Sequence, residues 1–483
     1  MAEEASFGFD SYLSVFTWRY GSKEMKTIFS EIEYRKLWRK IWVALARAQM
    51  NAGLVSREEL MELEANKEKI NLKRSHEIER EIRHDLMAEV KAFAEQCPKG
   101  GGKIHLGATS MDIEDNADVI RMKEALQLIK AKTVNCLDAF NKKILEQKAR
   151  PCIAFTHLQS AEPSTVGYRL CNYAQELLMD LEQIEFAEEN LKGKGFKGAV
   201  GTYASYTKLL EGKNLNATEL EREVMKELDL KYFDVSTQTY PRKEDFIVLN
   251  ALSSIAQSLH KFALDFRVLQ STPFSEWMEP FKEKQVGSSA MPFKRNPMNS
   301  ERICSLTRFV SSMPKIAWDN AANSILERTL DDSANRRIII AEAFLALDET
   351  LIIAGKVIEG MKVNEKQVEK NLLNYGVFAG TEAVLMELVE KGLGRQEAHE
   401  IIREHSINAW NSVIEGKSNP LKEFLSGDKR INEIIPRKRI EELLDARKHL
   451  GLAEEKCIEF SKKIEKKLHS YRELIGRKEE AAF

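Results

Sequence analysis

The chain reads as an all-α protein built on a bundle of long helices, and two features of the sequence predict this. Apolar residues recur at intervals of three and four over unusually long stretches. One runs Val166, Leu170, Ala174, Leu177, Leu181, Ile184, Leu191, and another Phe246, Leu249, Leu252, Ala256, Leu259, Ala263, Phe266. The second feature is punctuation: no proline stands between Pro314 and Pro420, so nothing in that interval forces a helix to stop. Apolar faces this long exceed what one chain readily covers, so the bundle is expected to pair with copies of itself.

Taken in order, residues 1–109 form an expected N-terminal helical region. Trp38, Ile41, Trp42, Leu45 and Ala48 make one stripe, and a second helix is expected from about Ser75 to Gln96, ended by Cys97-Pro98 and Gly100-Gly101-Gly102. Residues 110–363 form the expected central bundle and oligomerisation region. It opens with an amphipathic stretch from Asp112 to Lys148 and closes with a run from Ile303 to about Met361, where Pro314 permits a kink. Residues 364–483 read as shorter helices separated by Gly392, Gly394, Gly416, Pro420, Gly427 and Pro436. The charged segment Glu454–Glu480 reads as a solvated helix and tail.

Composition narrows the function classes. In 483 residues, 73 Lys and Arg nearly balance 75 Asp and Glu, which provides no basic field for nucleic acid. Six cysteines lie scattered without C-x-x-C spacing, an argument against a zinc site or a disulfide framework and for a reducing compartment. The first 20 residues lack a signal-peptide pattern, and no stretch is read as approaching roughly 18 apolar residues. A cytoplasmic protein acting on small molecules, without membrane, metal or cofactor, is the expectation.

One segment breaks the helical pattern with residues no helix favours: Gly287-Ser288-Ser289-Ala290-Met291-Pro292-Phe293-Lys294-Arg295-Asn296-Pro297. Two hydroxyls, an ammonium and an amide between helix-breaking residues suit an anion, although the same composition also fits an ordinary solvated loop. The G-S-x-x-M-x-x-K-x-N pattern resembles the signature loop of the fumarase/aspartase superfamily, whose members eliminate fumarate from a succinyl group. Phe155-Thr156-His157-Leu158-Gln159 resembles its second signature region, with Ser160-Ala161-Glu162 where Pro-Ala-Gln is usual. Arg83-His84-Asp85 with Gly107-Ala108-Thr109-Ser110, and Gln238-Thr239-Tyr240-Pro241-Arg242-Lys243, resemble the adenylosuccinate lyase branch. So does Glu327 through Arg337, whose arginines and serine suit a phosphate. Gly193-Lys194-Gly195-Phe196-Lys197-Gly198 satisfies G-x-G-x-x-G but follows a helix instead of a strand. It resembles a glycine-rich turn of the superfamily more than a dinucleotide fingerprint.

The resemblance implies a homotetrameric helical fold of the fumarase/aspartase type, with central helices forming the tetrameric core and sites shared between subunits. It implies fumarate release from adenylosuccinate and from succinylaminoimidazole carboxamide ribotide (SAICAR). Ser288 would be the base and His157 the acid, supported by His84, Lys294 and Glu301. Glycine at 287 would let the loop close over substrate. Substrate contacts would come from Arg19, Tyr20, Arg83, His84, Asp85, Thr109, Ser110, Gln238, Lys294, Asn296, Arg302, Arg328, Ser333 and Arg337. Argininosuccinate lyase shares the Ser288 loop, and a non-catalytic scaffold or a nucleotide-binding regulator would keep the fold; the first has no use for the Arg328–Arg337 cluster.

Overall fold

The computed structural model describes residues 10–281 and 284–476. In the N-terminal region, α1 (Glu31–Asn51) starts where the Ser30 hydroxyl accepts the Glu33 N–H and buries Trp38, Ile41, Trp42 and Leu45. The helix expected over 75–96 is two helices, α2 (Leu72–Ile82) and α3 (Asp85–Glu95). Arg83 between them adopts φ 57° and so ends α2, while the His84 ring accepts the Met87 N–H and starts α3. Three adjacent residues on one helix could not face one way; the break releases them from that limit.

The bundle begins with α4 (Ser110–Gln147), 38 residues long. A hairpin follows, β1 (Pro151–Thr156) against β2 (Gln159–Thr165), leading into α5 (Val166–Asn190). α6 (Lys243–Gln270) and α7 (Met298–Ala322) pack closely on each other. Next is α8 (Ser333–Gly360), whose middle is buried on every side. A short pair, β3 (Trp277–Met278) with β4 (Lys362–Val363), ties the start of the signature loop to the end of α8. The single run expected from Ile303 to Met361 is thus two antiparallel helices. Residues 323–332 turn between them, and Pro314 lies inside α7.

Three further differences concern the C-terminal third. The 26 residues Glu365–Glu390 are apolar enough by length and composition to cross a membrane, which the sequence reading missed. They fold as two 11-residue helices, Glu365–Tyr375 and Gly380–Glu390, joined by a single 3-10 turn, Gly376–Ala379. Residues 384–444 form an apolar cluster separate from the main core. The charged terminal segment is not simply solvated: α9 (Ala453–Leu468) buries Ala453, Cys457, Ile464 and Leu468 against α4 and α5. Its exposed faces carry the charge that dominated the sequence impression.

Candidate active site

Helix direction decides where the candidate residues fall. α4, α6 and α8 all start at one end of the bundle. There the Arg242 guanidinium, just before α6, donates to Asp115 on α4 at 2.9 Å and to Asp332, just before α8, at 2.6 Å. Arg336 on α8 donates to Asp245 on α6 at 2.7 Å, to Asp118 on α4 at 3.1 Å and to the Tyr240 hydroxyl at 2.6 Å. At the opposite end α6 stops, α7 starts, and Gly360 at the foot of α8 packs against Pro280. The 28 residues of α8 separate the two ends by about 42 Å.

The first end gathers Asp85, Arg328, Ser333 and Arg337 around one cavity of about 330 Å³. Arg337 pairs with Asp85 at 2.8 Å and Arg328 with Asp332 at 2.8 Å. Burial alone would raise both carboxyls, but the facing guanidinium groups outweigh it and hold both below the ordinary carboxylate value. Ser333 is the first residue of α8. The Gln238 N–H donates to the Glu327 carbonyl at 3.2 Å, so its segment leans on the same turn. Thr109 caps α4, its N–H donating to Asp112 at 3.0 Å, and Ser110 is the first residue of that helix.

Asp112 also explains the glycine-rich turn. Its buried carboxylate accepts from the Lys194 ammonium, the Gly198 N–H and the Tyr206 hydroxyl, while Lys197 pairs with Glu221. A Cβ on Gly195, where φ is 82°, would stand 2.0 Å from the Glu221 carboxylate. Both lysines of the G-x-G-x-x-G match are therefore interior struts that hold the turn beside Thr109.

The opposite end holds the signature loop. Gly287 is buried, Ser288 half-buried, and Ser289 and Lys294 exposed. The Met291 N–H donates to the Ser288 hydroxyl oxygen at 3.1 Å, and the Asn296 amide donates to the Gly287 carbonyl at 3.0 Å. Glu301 is exposed on the first turn of α7. Arg302 follows it, 6.0 Å from the centre of the Tyr20 ring, which Arg19 approaches to 5.8 Å. His157 lies at the tip of the β1–β2 hairpin, exposed, with φ of 55° there and 60° at Leu158. Two positive φ values in a two-residue hairpin loop mark a type I′ turn, normally the place of Asn-Gly. The two strands stand out in a chain whose sequence reads as all-α.

Several residues at the first end went unnoticed in the sequence. Glu114 lines the cavity, and burial, reinforced by Asp85 and Asp118, pushes its carboxyl up to about 8. Asp118 goes the other way: Arg121 and Arg336 overcome its burial. His105 accepts the Trp42 indole N–H at 3.1 Å, and burial pushes its imidazole down to about 4 against the pull of Asp112. The available signal was the density of carboxylates at the start of α4, Asp112, Glu114, Asp115 and Asp118, in a stretch whose apolar spacing buries most of its circumference.

The comparisons with known proteins identify the family. A lyase family model matches residues 22–311, and a model of the adenylosuccinate lyase C-terminus matches residues 378–460. An adenylosuccinate lyase of Schistosoma mansoni is 38% identical over 97% of this chain and 98% of its own length. The chain belongs to the adenylosuccinate lyase family. Members from Saccharomyces cerevisiae, 38% identical over 94% of this chain and 95% of theirs, and from Archaeoglobus fulgidus, 35% over 91% and 96%, show the same full-length match. Among solved structures, a 3-carboxy-cis,cis-muconate lactonizing enzyme from Pseudomonas putida superposes with a TM-score of 0.82. It is 23% identical and covers 94% of this chain and 99% of its own. A fumarate lyase from Mesorhizobium gives 0.80 at 23%, with coverage of 94% and 99%. At that identity these two establish the helical lyase fold of the family member described here.

Proposed function

We propose that the chain cleaves adenylosuccinate to AMP and fumarate, and SAICAR to the corresponding carboxamide ribotide and fumarate, at a site assembled between copies of the chain. The observation that carries the substrate choice is the cavity shared by Arg328, Ser333 and Arg337. Each guanidinium has five N–H donors, so pairing with Asp332 or Asp85 leaves donors for phosphate oxygens. Ser333 adds a hydroxyl at a helix start that no side chain caps. Arg83, His84, Thr109, Ser110 and Gln238 would complete the contacts of this end.

The reaction removes a proton from the succinyl carbon beside a carboxylate, forms the C=C bond of fumarate and breaks the C–N bond, whose nitrogen takes a proton. Ser288 would accept the first proton and His157 deliver the second. A serine hydroxyl is too weak an acid to serve as a base unaided. The Met291 N–H already aimed at its oxygen supports an alkoxide there, and the Lys294 charge would add to this. Lys294, Asn296 and Arg302 would hold substrate anions, with Arg19 and Tyr20 beside Arg302. Glu301 would orient the acid.

The signature loop lies the length of α8, about 42 Å, from the phosphate cavity in one chain, so a complete site needs the loop of another copy. Exposed Met179 and Phe186 on α5, Leu264 on α6, Trp318 on α7 and Ile338 on α8 supply apolar surface for such association, and a homotetramer is the expected form. The test is ultraviolet absorbance with adenylosuccinate, coupled to fumarate quantification, in wild type and Ser288→Ala. Equimolar AMP and fumarate from wild type alone is the expected result. AMP binding without turnover, or cleavage of argininosuccinate instead, would overturn the proposal.

A further inference from the structure

A buried carboxylate that no sequence motif singled out sits at the hinge of the signature loop. Glu279 follows β3, is 8% exposed, and accepts three hydrogen bonds from the first turn of α7. The Asn299 N–H reaches it at 3.1 Å, and the Ser300 N–H and hydroxyl each at 2.6 Å. A negative charge satisfying unpaired N–H groups at a helix start fixes where that helix begins. Here the next two residues are Glu301 and Arg302.

The same residue braces the loop through a second route. Its own N–H donates to the Gln270 side-chain oxygen at 2.9 Å, and the Gln270 side-chain nitrogen donates to the Arg295 carbonyl at 3.1 Å. Arg295 lies between Lys294 and Asn296. Asn296 holds the Gly287 carbonyl, and Gly287 packs so closely on the Lys294 carbonyl that a Cβ would stand 2.3 Å from it. Ser288 is the next residue. A continuous set of contacts thus runs from Glu279 through Gln270 and Arg295 to Ser288, while a shorter one runs from Glu279 to Glu301 and Arg302.

We propose that Glu279, with Gln270 as its brace, is a positioning residue for the elimination. It sets the loop hydroxyl and the first turn of α7 in a common frame without touching substrate. This rests on the reading of Ser288 as the base. Misplacing a reacting group by about 1 Å costs on the order of 100-fold in rate. Glu279→Ala should therefore lower kcat by about that factor. KM for adenylosuccinate should rise with it, because Asn296 and Arg302 lose their places, while the affinity for AMP should change less than about threefold, because the phosphate contacts lie at the other end of the bundle. Glu279→Gln keeps one accepting oxygen and should fall between wild type and Glu279→Ala. Gln270→Leu, which cuts only the brace, should lower kcat about fivefold.

The experiment combines steady-state kinetics, AMP titration and amide hydrogen exchange on the full-length assembled wild type and the three variants. Exchange should show Asn299 and Ser300 protected in wild type and released in Glu279→Ala, with the α8 amides unchanged. Wild-type kcat in Glu279→Gln and Gln270→Leu would overturn the proposal, and so would a parallel loss of AMP affinity and α8 protection, which marks a general fold defect. If wild type failed to turn over adenylosuccinate, the Ser288 reading would fall. Absence of protection at Asn299 and Ser300 would independently sink the clamp.

Discussion

The two ends of the bundle are built on opposite principles. At the end where α4, α6 and α8 begin, Arg242 and Arg336 are buried and each bonds carboxylates from two different segments, so the cavity wall is fixed by charge pairs that span the fold. At the other end, Lys294 and His157 face outward on a loop and a hairpin tip, and the side-chain bonds around Ser288 are made within the loop itself. The first end looks finished within one chain. The second leaves His157 and Lys294 exposed to solvent, as expected of a surface completed by another copy.

Perturbing each end separately should separate chemistry, stability and binding. The largest effect belongs to the exposed end: Ser288→Ala should lower kcat on the order of 10⁴-fold, with AMP affinity unchanged by titration calorimetry. The reverse pattern belongs to the buried end. Arg336→Met leaves Asp118 and Asp245 without their shared cation, and urea unfolding should show a loss of about 3–5 kcal/mol. Arg337→Ala removes an exposed guanidinium proposed to contact phosphate. It should raise KM about 10- to 100-fold with a smaller change in kcat, measured by steady-state kinetics on adenylosuccinate.

The smallest effect sharpens the contrast through pH. The folded state keeps a proton on Glu114 up to about pH 8, whereas the unfolded chain releases it near its ordinary value of 4.5. Its contribution to stability is therefore complete below about 4.5 and is lost as pH rises toward 8. Glu114→Gln cannot ionise, so its melting temperature should fall less than that of wild type between pH 5 and 9. Equal slopes in the two proteins would assign the pH response to another group.

How far the sequence carried depends on what each feature rests on. Apolar spacing revealed the long helices because it is a local, repeated signal, and helix-breaking residues revealed the signature loop for the same reason. Spacing did not reveal the break at Arg83, because a left-handed arginine leaves no compositional mark where glycine would have. Nor did it reveal the hairpin under His157: the turn uses His-Leu in place of Asn-Gly, and the strands flanking it are short. Glu279 and Arg336 were invisible for a different reason. Their roles depend on partners 9 to 218 residues away, which only the folded arrangement of α4, α6, α7 and α8 brings together.

The central claim is that a working site draws on more than one copy of the chain, with His157 and Ser288 supplied by different copies, and mixing tests it most directly. His157→Gln and Ser288→Ala, each purified inactive, are unfolded together, refolded and assayed with adenylosuccinate. Mixed assemblies should regain a substantial fraction of wild-type turnover if some of their sites receive an intact His157 from one copy and an intact Ser288 from another. Mixed assemblies, verified by mass, that remain as inactive as their parents would contradict a shared site.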